Sequence, residues 1–395
     1  MLASFHKSMY DVSCNYLRKK GTTQMKHTMK KTLALLLIVL LIAGTFSACG
    51  GGSGGDDDVP AGILDQLQSR DIIFEIEGAI PATWDEVLSE LGSARWLLEG
   101  QRPLHDWDEI YEEQVFQAVE EYMTFNEIAL HFARDGVLER RAKMQAFHDA
   151  GLTLDENFFD ELLETHFEMT GETMEDLLEL LDEIDMSMET FQLLNEVLEM
   201  ERLLLIEMGE SLLSQADVDH FVSENGILRA KHILIAGEDE ETTAFAMELY
   251  EELAALEGDE FLTRFVELMD EYGEDPGMIA NPEGYTFFPG VMVPSFYDGA
   301  YELEYYGLSE PVRSTFGYHI ILRLPIDQSL PVMTPGGQPA TLSQIAAQSI
   351  FTETIGNLRR AFVVNTTAAF DLIVPSEIFL AIDARVDALL ETEDE

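Results

Sequence analysis

The chain has 395 residues, enough for two or three domains with cores of their own, and its 46% hydrophobic content is ordinary for a folded protein. Its charge is not ordinary: 75 acidic side chains stand against 23 basic, a formal net charge of −52. That excess excludes nucleic acid as a partner, because phosphate binding needs clustered Lys and Arg, and it gives no attraction to anionic lipid.

The N-terminus reads as an address. Lys30-Lys31 precede an apolar run of 12 residues, Leu33 to Gly44, followed by Ser47-Ala48-Cys49-Gly50. Such an order makes a secretory signal, and the run is shorter than the roughly 20 residues a spanning helix needs. Ser-Ala-Cys-Gly resembles a bacterial lipobox, which implies lipidation at Cys49 and anchoring to the outer face of the cytoplasmic membrane. Residues 1–48 are therefore expected to be a signal region, with those before Met25 or Met29 an upstream extension. Only Cys14 and Cys49 are present, so the mature chain is expected to hold together by packing without a disulfide. Residues 49–58, rich in Gly and ending in three Asp, read as a flexible tether.

A mainly helical domain is expected over 59–226. Asp71 to Gly78 reads as a short strand and turn, and Thr83 with Glu86 as the capping box of a following helix. Trp107, Ile110, Tyr111, Val115, Val119, Tyr122 and Met123 recur at three and four residues, the period of one buried helix face. Phe158 to Phe167 and Phe191 to Leu213 repeat the pattern, while Gly136, Gly151 and Gly171 fall where helices should end.

Residues 227–326 change character. Arg229 to Ala236 alternates as a strand, Phe245 to Leu256 and Phe261 to Tyr272 as two helices. Tyr285 to Phe288 reads as a strand, Ser295 to Leu303 as a helix, and Glu310 to Ser314 and Tyr318 to Leu324 as strands joined through Gly317. Pro331, Pro335 and Gly336-Gly337 read as a linker, and Leu342 to Val364 as a helix within a C-terminal segment, 327–395, that ends in a frayed acidic tail.

Four separated segments here carry a family signature. They are Ala230-Lys231-His232-Ile233-Leu234, Asp275-Pro276-Gly277, Phe288-Pro289-Gly290-Val291-Met292-Val293-Pro294-Ser295-Phe296, and Ser314-Thr315-Phe316-Gly317-Tyr318-His319-Ile320. In this order and spacing they resemble the parvulin family of peptidyl-prolyl isomerases. The resemblance implies an α+β domain with an antiparallel-rich, four-stranded sheet flanked by helices. Signal, tether and acidic helices resemble the N-terminal region of extracytoplasmic foldases. In those, the isomerase unit is inserted in a helical, chaperone-like domain on which the C-terminal helix packs back.

The chemistry asked of such a unit is modest. Turning an X-Pro bond means breaking amide resonance against a barrier of about 18–20 kcal/mol, with no bond to be made and no cofactor. A site needs an apolar cup for the proline ring, polar groups near the carbonyl, and exclusion of water. Met292 and Phe296, four residues apart, are the cup candidates, with Phe316 a third wall. The resemblance supplies the polar set: His232 and His319 as a histidine pair, Ser314 hydrogen-bonded to it, and Asp275 beside it. It also places Tyr285 where a leucine usually lines the pocket. No His or Cys pair has metal-ligand spacing. The acidic run Glu238 to Glu241 would repel phosphate, which excludes phosphoserine- or phosphothreonine-directed activity. The expected partners are unfolded exported polypeptides with X-Pro bonds. The alternative is a holdase lipoprotein with a weak isomerase unit, suggested by Met169, Met174, Met186, Met188, Met200 and Met208 in the helical region.

Overall fold

A computed structural model describes residues 64–99, 103–110, 123–333 and 340–393. The signal run, the tether, Cys49, and the helix-face positions Tyr111, Val115, Val119 and Tyr122 lie outside the described residues. The chain divides into two compact units, one up to Met200 together with Ile355 onward, the other Glu201–Thr354. The boundaries fall earlier than 226 and later than 326 because flanking segments on both sides belong to the second unit's core.

In the first unit, β1 (Ile72–Ile76) pairs antiparallel with β2 (Ala82–Thr83), which runs directly into α1 (Trp84–Glu99). The expected Thr83–Glu86 capping box does not form. Thr83 instead donates to Asp85 Oδ1, which also accepts the Glu86 N–H. Glu86 is turned inward, 1% exposed, onto Arg140 and Arg141 of α2 (Phe125–Asp149). A buried carboxylate is tolerated only when paired this fully, and here two guanidinium groups pair it. Gly136 does not end a helix but lies inside α2, where a Cβ would overlap the Glu90 side chain that reaches Arg140. Trp107 follows a 3-10 turn at Leu104–Asp106 and is fully buried, whereas Ile110 is 52% exposed, so these two do not share a helix face.

Thr124 and Glu127 form a capping box at the start of α2, and Thr173 with Asp176 does the same for α4 (Met174–Glu183). Gly171, at φ 74°, closes α3 (Phe158–Thr170) as a left-handed cap. With α5 (Met188–Glu207) these helices bury Leu163, Leu177, Leu181, Phe191 and Leu194. From Ile355 onward the C-terminal segment belongs to this unit. Val364–Thr366 pairs antiparallel with β1, and the helix Pro375–Glu393 puts Phe379 edge-on to Trp107. That helix was not read from the sequence.

The second unit takes in the end of α5, then α6 (Gln215–Glu224), capped by Ser214 and Asp217, and continues into β3 (Leu228–Ala236). Then come α7 (Glu240–Ala254), α8 (Gly258–Tyr272), the short α9 (Pro276–Ala280), β4 (Tyr285–Phe287), α10 (Pro294–Tyr301), β5 (Val312–Ser314) and β6 (Gly317–Leu324). The four expected strands lie in the order β5-β6-β3-β4, and β7 (Pro331–Met333) and β8 (Ala340–Thr341) extend them to six. Pro331 thus starts a strand instead of a linker, and β7 runs parallel to β4.

Helices α7, α8 and α10 pack against β3 and β6, whose apolar side chains form one core with Phe265, Phe287 and Phe296. Each such fully buried side chain contributes about 1.5–3 kcal/mol. Val332, Leu342 and Ala346 join Val218, Phe221 and Ile227 in a second cluster, which is why residues beyond 326 stay with this unit.

Candidate active site

The site is built on the two central strands. β3 and β6 pair antiparallel with His232 opposite Ile321 and Leu234 opposite His319. Side chains two apart on a strand share a face, so both histidines lie on one face as diagonal neighbours. Their ring centroids are 5.0 Å apart. His232 is 5% and His319 4% exposed. Phe296, from the first turns of α10, stands edge-on to both, 5.0 Å from His232 and 5.3 Å from His319.

Ser314 reaches this pair through the β5–β6 hairpin. Val312 is paired with His319 and Ser314 with Gly317, which sets the serine beside the imidazole. Ser314 Oγ lies 2.6 Å from His319 Nε2 and accepts the Phe316 N–H at 3.0 Å. The hydroxyl also has the Gly317 carbonyl as an acceptor at 3.4 Å, so the Ser314–His319 bond holds with either ring tautomer. Gly317 makes the turn possible: its φ is 136°, and a Cβ there would overlap the Ile235 carbonyl.

Asp275 arrives from the other side as the N-cap of α9. Its Oδ1 accepts the Gly277 N–H at 2.9 Å, and Pro276 occupies the first helical position. Its Oδ2 accepts the Tyr285 hydroxyl at 2.9 Å and lies 3.0 Å from His232 Nε2. The histidine contact is close but off the line of a hydrogen bond, since neither ring nitrogen of His232 has a directional partner. His232, the Gly277 N–H and the Tyr285 hydroxyl together hold the Asp275 carboxyl down at about 2, against its partial burial. Burial, reinforced by His232, pushes the His319 imidazole down to about 4, with Asp275 opposing. Burial first, then the Asp275 carboxylate, pushes the Tyr285 phenol up. At neutral pH the centre therefore holds a fixed carboxylate, a neutral His319 and a protonated tyrosine. His319 Nδ1 is also without a partner, so the site keeps unspent hydrogen-bond capacity under cover, a pattern expected of functional sites.

Of the residues read from the sequence, His232, His319, Ser314, Asp275, Tyr285 and Phe296 meet in this cluster. Met292 is half-buried and packs on the same core, ahead of α10. Phe316 is not brought in: it occupies the hairpin turn and is 61% exposed. Tyr285 is placed with the polar groups instead of acting as an apolar wall alone. Gly277 was not singled out from the sequence, although Asp-Pro-Gly, an N-cap followed by Pro at the first turn, signals a helix start whose amides bind the carboxylate. An open cavity of about 490 Å³, lined by Gln215, Arg229, Tyr306 and residues 324–329, contains none of these side chains. Among the described residues no group of His, Cys, Asp and Glu could hold a metal ion.

Residues 232–324 match the rotamase family, described as the PPIC-type PPIase domain. The foldase protein PrsA of Halalkalibacterium halodurans is 47% identical over 96 residues, 24% of this chain and 26% of that protein. The chaperone SurA of Chromohalobacter salexigens is 34% identical over 123 residues, 30% of this chain and 26% of its own. The solution structure of NmPin, the parvuline of Nitrosopumilus maritimus, is 31% identical and covers 25% of this chain and 96% of its own, with a TM-score of 0.20. The matched stretch spans about a quarter of the length of these curated relatives. The family match begins at His232 and ends beyond His319, so it contains the whole cluster described above: residues 232–324 match the PPIC-type PPIase domain, in a chain that over this stretch is similar to the foldase PrsA and the chaperone SurA.

Proposed function

We propose that the chain is a peptidyl-prolyl cis-trans isomerase that acts as a foldase on exported polypeptides. The observation that carries the reading is the meeting of His232, His319, Ser314, Asp275 and Phe296, drawn from five separate elements, within the isomerase-type domain. Amide resonance places negative charge on the carbonyl oxygen. A carboxylate held beside that oxygen disfavours the charge-separated form and so weakens the C–N double-bond character that opposes rotation. Phe296 and Met292 provide the apolar floor for the pyrrolidine ring and keep out the water that stabilises the planar amide. The histidine pair and Ser314 hold the floor in shape and offer hydrogen bonds that follow the carbonyl as it turns. No covalent step is required.

Protease-coupled turnover of Ala-X-Pro-Phe peptides tests the reading. Wild type should exceed the thermal rate, and His232→Ala, Asp275→Ala and Met292→Ala should each lower kcat/KM by about tenfold or more, or about 1.4 kcal/mol of transition-state stabilisation each. A folded chain with only the thermal rate would remove the proposal. The acidic loop, in which Glu238 pairs with Arg313 and Asp239 caps α7, has no cation free to grip a phosphate, so phosphopeptides should give no advantage. Action outside the cytoplasm, with Cys49 as the lipid anchor, belongs to the same reading; Cys49→Ser should release the protein from membranes.

A second reading, holdase action, is favoured by exposed apolar side chains in α3 and α4: Met169 is 74%, Met174 42% and Leu178 49% exposed. Suppressed aggregation of a proline-free client would support it, and no suppression would count against it.

A further inference from the structure

Resting on the isomerase reading above, we propose that Tyr285 is a positioning residue that fixes the Asp275 carboxylate against His232. Its place follows from register. Tyr285 pairs with Ala230 across β3 and β4, and His232 follows Ala230 by two residues on the same face. The phenol ring is therefore carried beside the imidazole, with centroids 6.1 Å apart, and its hydroxyl meets Asp275 Oδ2 at 2.9 Å.

The two carboxylate oxygens have different needs. Oδ1 is held by the Gly277 N–H. Oδ2 has the His232 contact, which lacks the direction of a hydrogen bond, and the Tyr285 hydroxyl, which has it. An apolar side chain at 285 would fill the cup and leave the Oδ2 side of the carboxylate free to rotate about the Cβ–Cγ bond. The neighbouring backbone leaves room for this hydroxyl: a Cβ on Gly277 would overlap it. The phenol is 7% exposed, so water does not replace the bond easily if it is lost.

The test is Tyr285→Phe in the full chain, which keeps the ring and removes the one donor. On the Ala-X-Pro-Phe peptide, kcat should fall about tenfold with KM within about twofold, as for loss of a bond to a charged group whose orientation matters in the twisted state. In an Asp275→Asn background the same substitution should change kcat by less than about twofold, because the effect travels through the carboxylate. A ¹³C-carboxyl titration of Asp275, which needs no catalysis, should move upward in Tyr285→Phe, since a bond to the charged form is gone. Gly277→Ala, whose methyl displaces the hydroxyl, should move it in the same direction. Wild-type kcat with an unmoved titration in Tyr285→Phe would overturn the proposal, as would equal losses in both backgrounds. Absence of turnover in wild type would sink the isomerase reading alone, with the titration still deciding whether Tyr285 holds Asp275.

Discussion

His319 is kept neutral by burial, and this gives stability a pH dependence of known sign. The imidazole titrates near 6.5 when unfolded and at about 4 when folded. Between those values the unfolded chain takes up a proton that the folded chain refuses, so stability is complete above about 6.5 and falls as the pH drops to about 4. The shift corresponds to at most about 3 kcal/mol. Asp275, lowered to about 2 from 3.8, adds a loss in the same direction below pH 3.8. Urea denaturation at several pH values should show His319→Gln with a flatter slope between pH 6.5 and about 4 than wild type; an unchanged slope would assign the dependence elsewhere. The histidine pair was legible because strand alternation alone sets the face of each side chain once β3 and β6 are neighbours. The hydroxyl of Tyr285 was not, because its partner lies ten residues away on a different element and only the β4 register brings them together.

Elements were legible where one period ran long. The helices at Glu240–Ala254 and Gly258–Tyr272 and the strands at Leu228–Ala236 and Gly317–Leu324 follow the pattern of their apolar residues. Prediction from pattern failed where a tertiary partner overruled a local signal. Thr83 and Glu86 have capping spacing, yet two buried arginines claim the glutamate; Gly136 resembles a helix end, yet its missing Cβ makes space for Glu90. β7, which starts from a proline, and β8 are three and two residues long, too short for a period to register. Two element-scale outcomes follow. Glu86→Gln leaves Arg140 and Arg141 underpaired in a dry site and should cost about 3–5 kcal/mol in chemical denaturation, and a change under about 1 kcal/mol would contradict the role given to the pair. Gly317→Ala forces a side chain at φ 136° into the Ile235 carbonyl and should cost about 1–3 kcal/mol or more, read as a lowered Tm. A neutral effect would mean the hairpin turn adapts.

At the scale of the whole molecule the dominant quantity is the net charge of −52. Repulsion among so many carboxylates opposes compaction and is screened over about 30 Å at 0.01 M salt but about 3 Å at 1 M. The Tm should therefore rise with sodium chloride across that range, and a fall would show that attractive ion pairs outweigh the repulsion. Composition made this term legible without any structure. The division into two units was legible only in outline, since the segments that set its boundaries, α6 before β3 and β7 to Ala346 after β6, are joined to the sheet by packing and not by sequence pattern. Among the described residues no helix is long and apolar enough to cross a membrane.

The most direct measurement is the cis-to-trans rate of a proline peptide with catalytic amounts of the full-length chain, beside His232→Ala verified as folded. A rate that rises in proportion to wild-type enzyme and falls at least about tenfold in the variant is the expected result. A well-folded wild-type chain whose added rate is zero, or a variant that turns the peptide as fast as wild type, would contradict the assignment of this cluster as an isomerase centre.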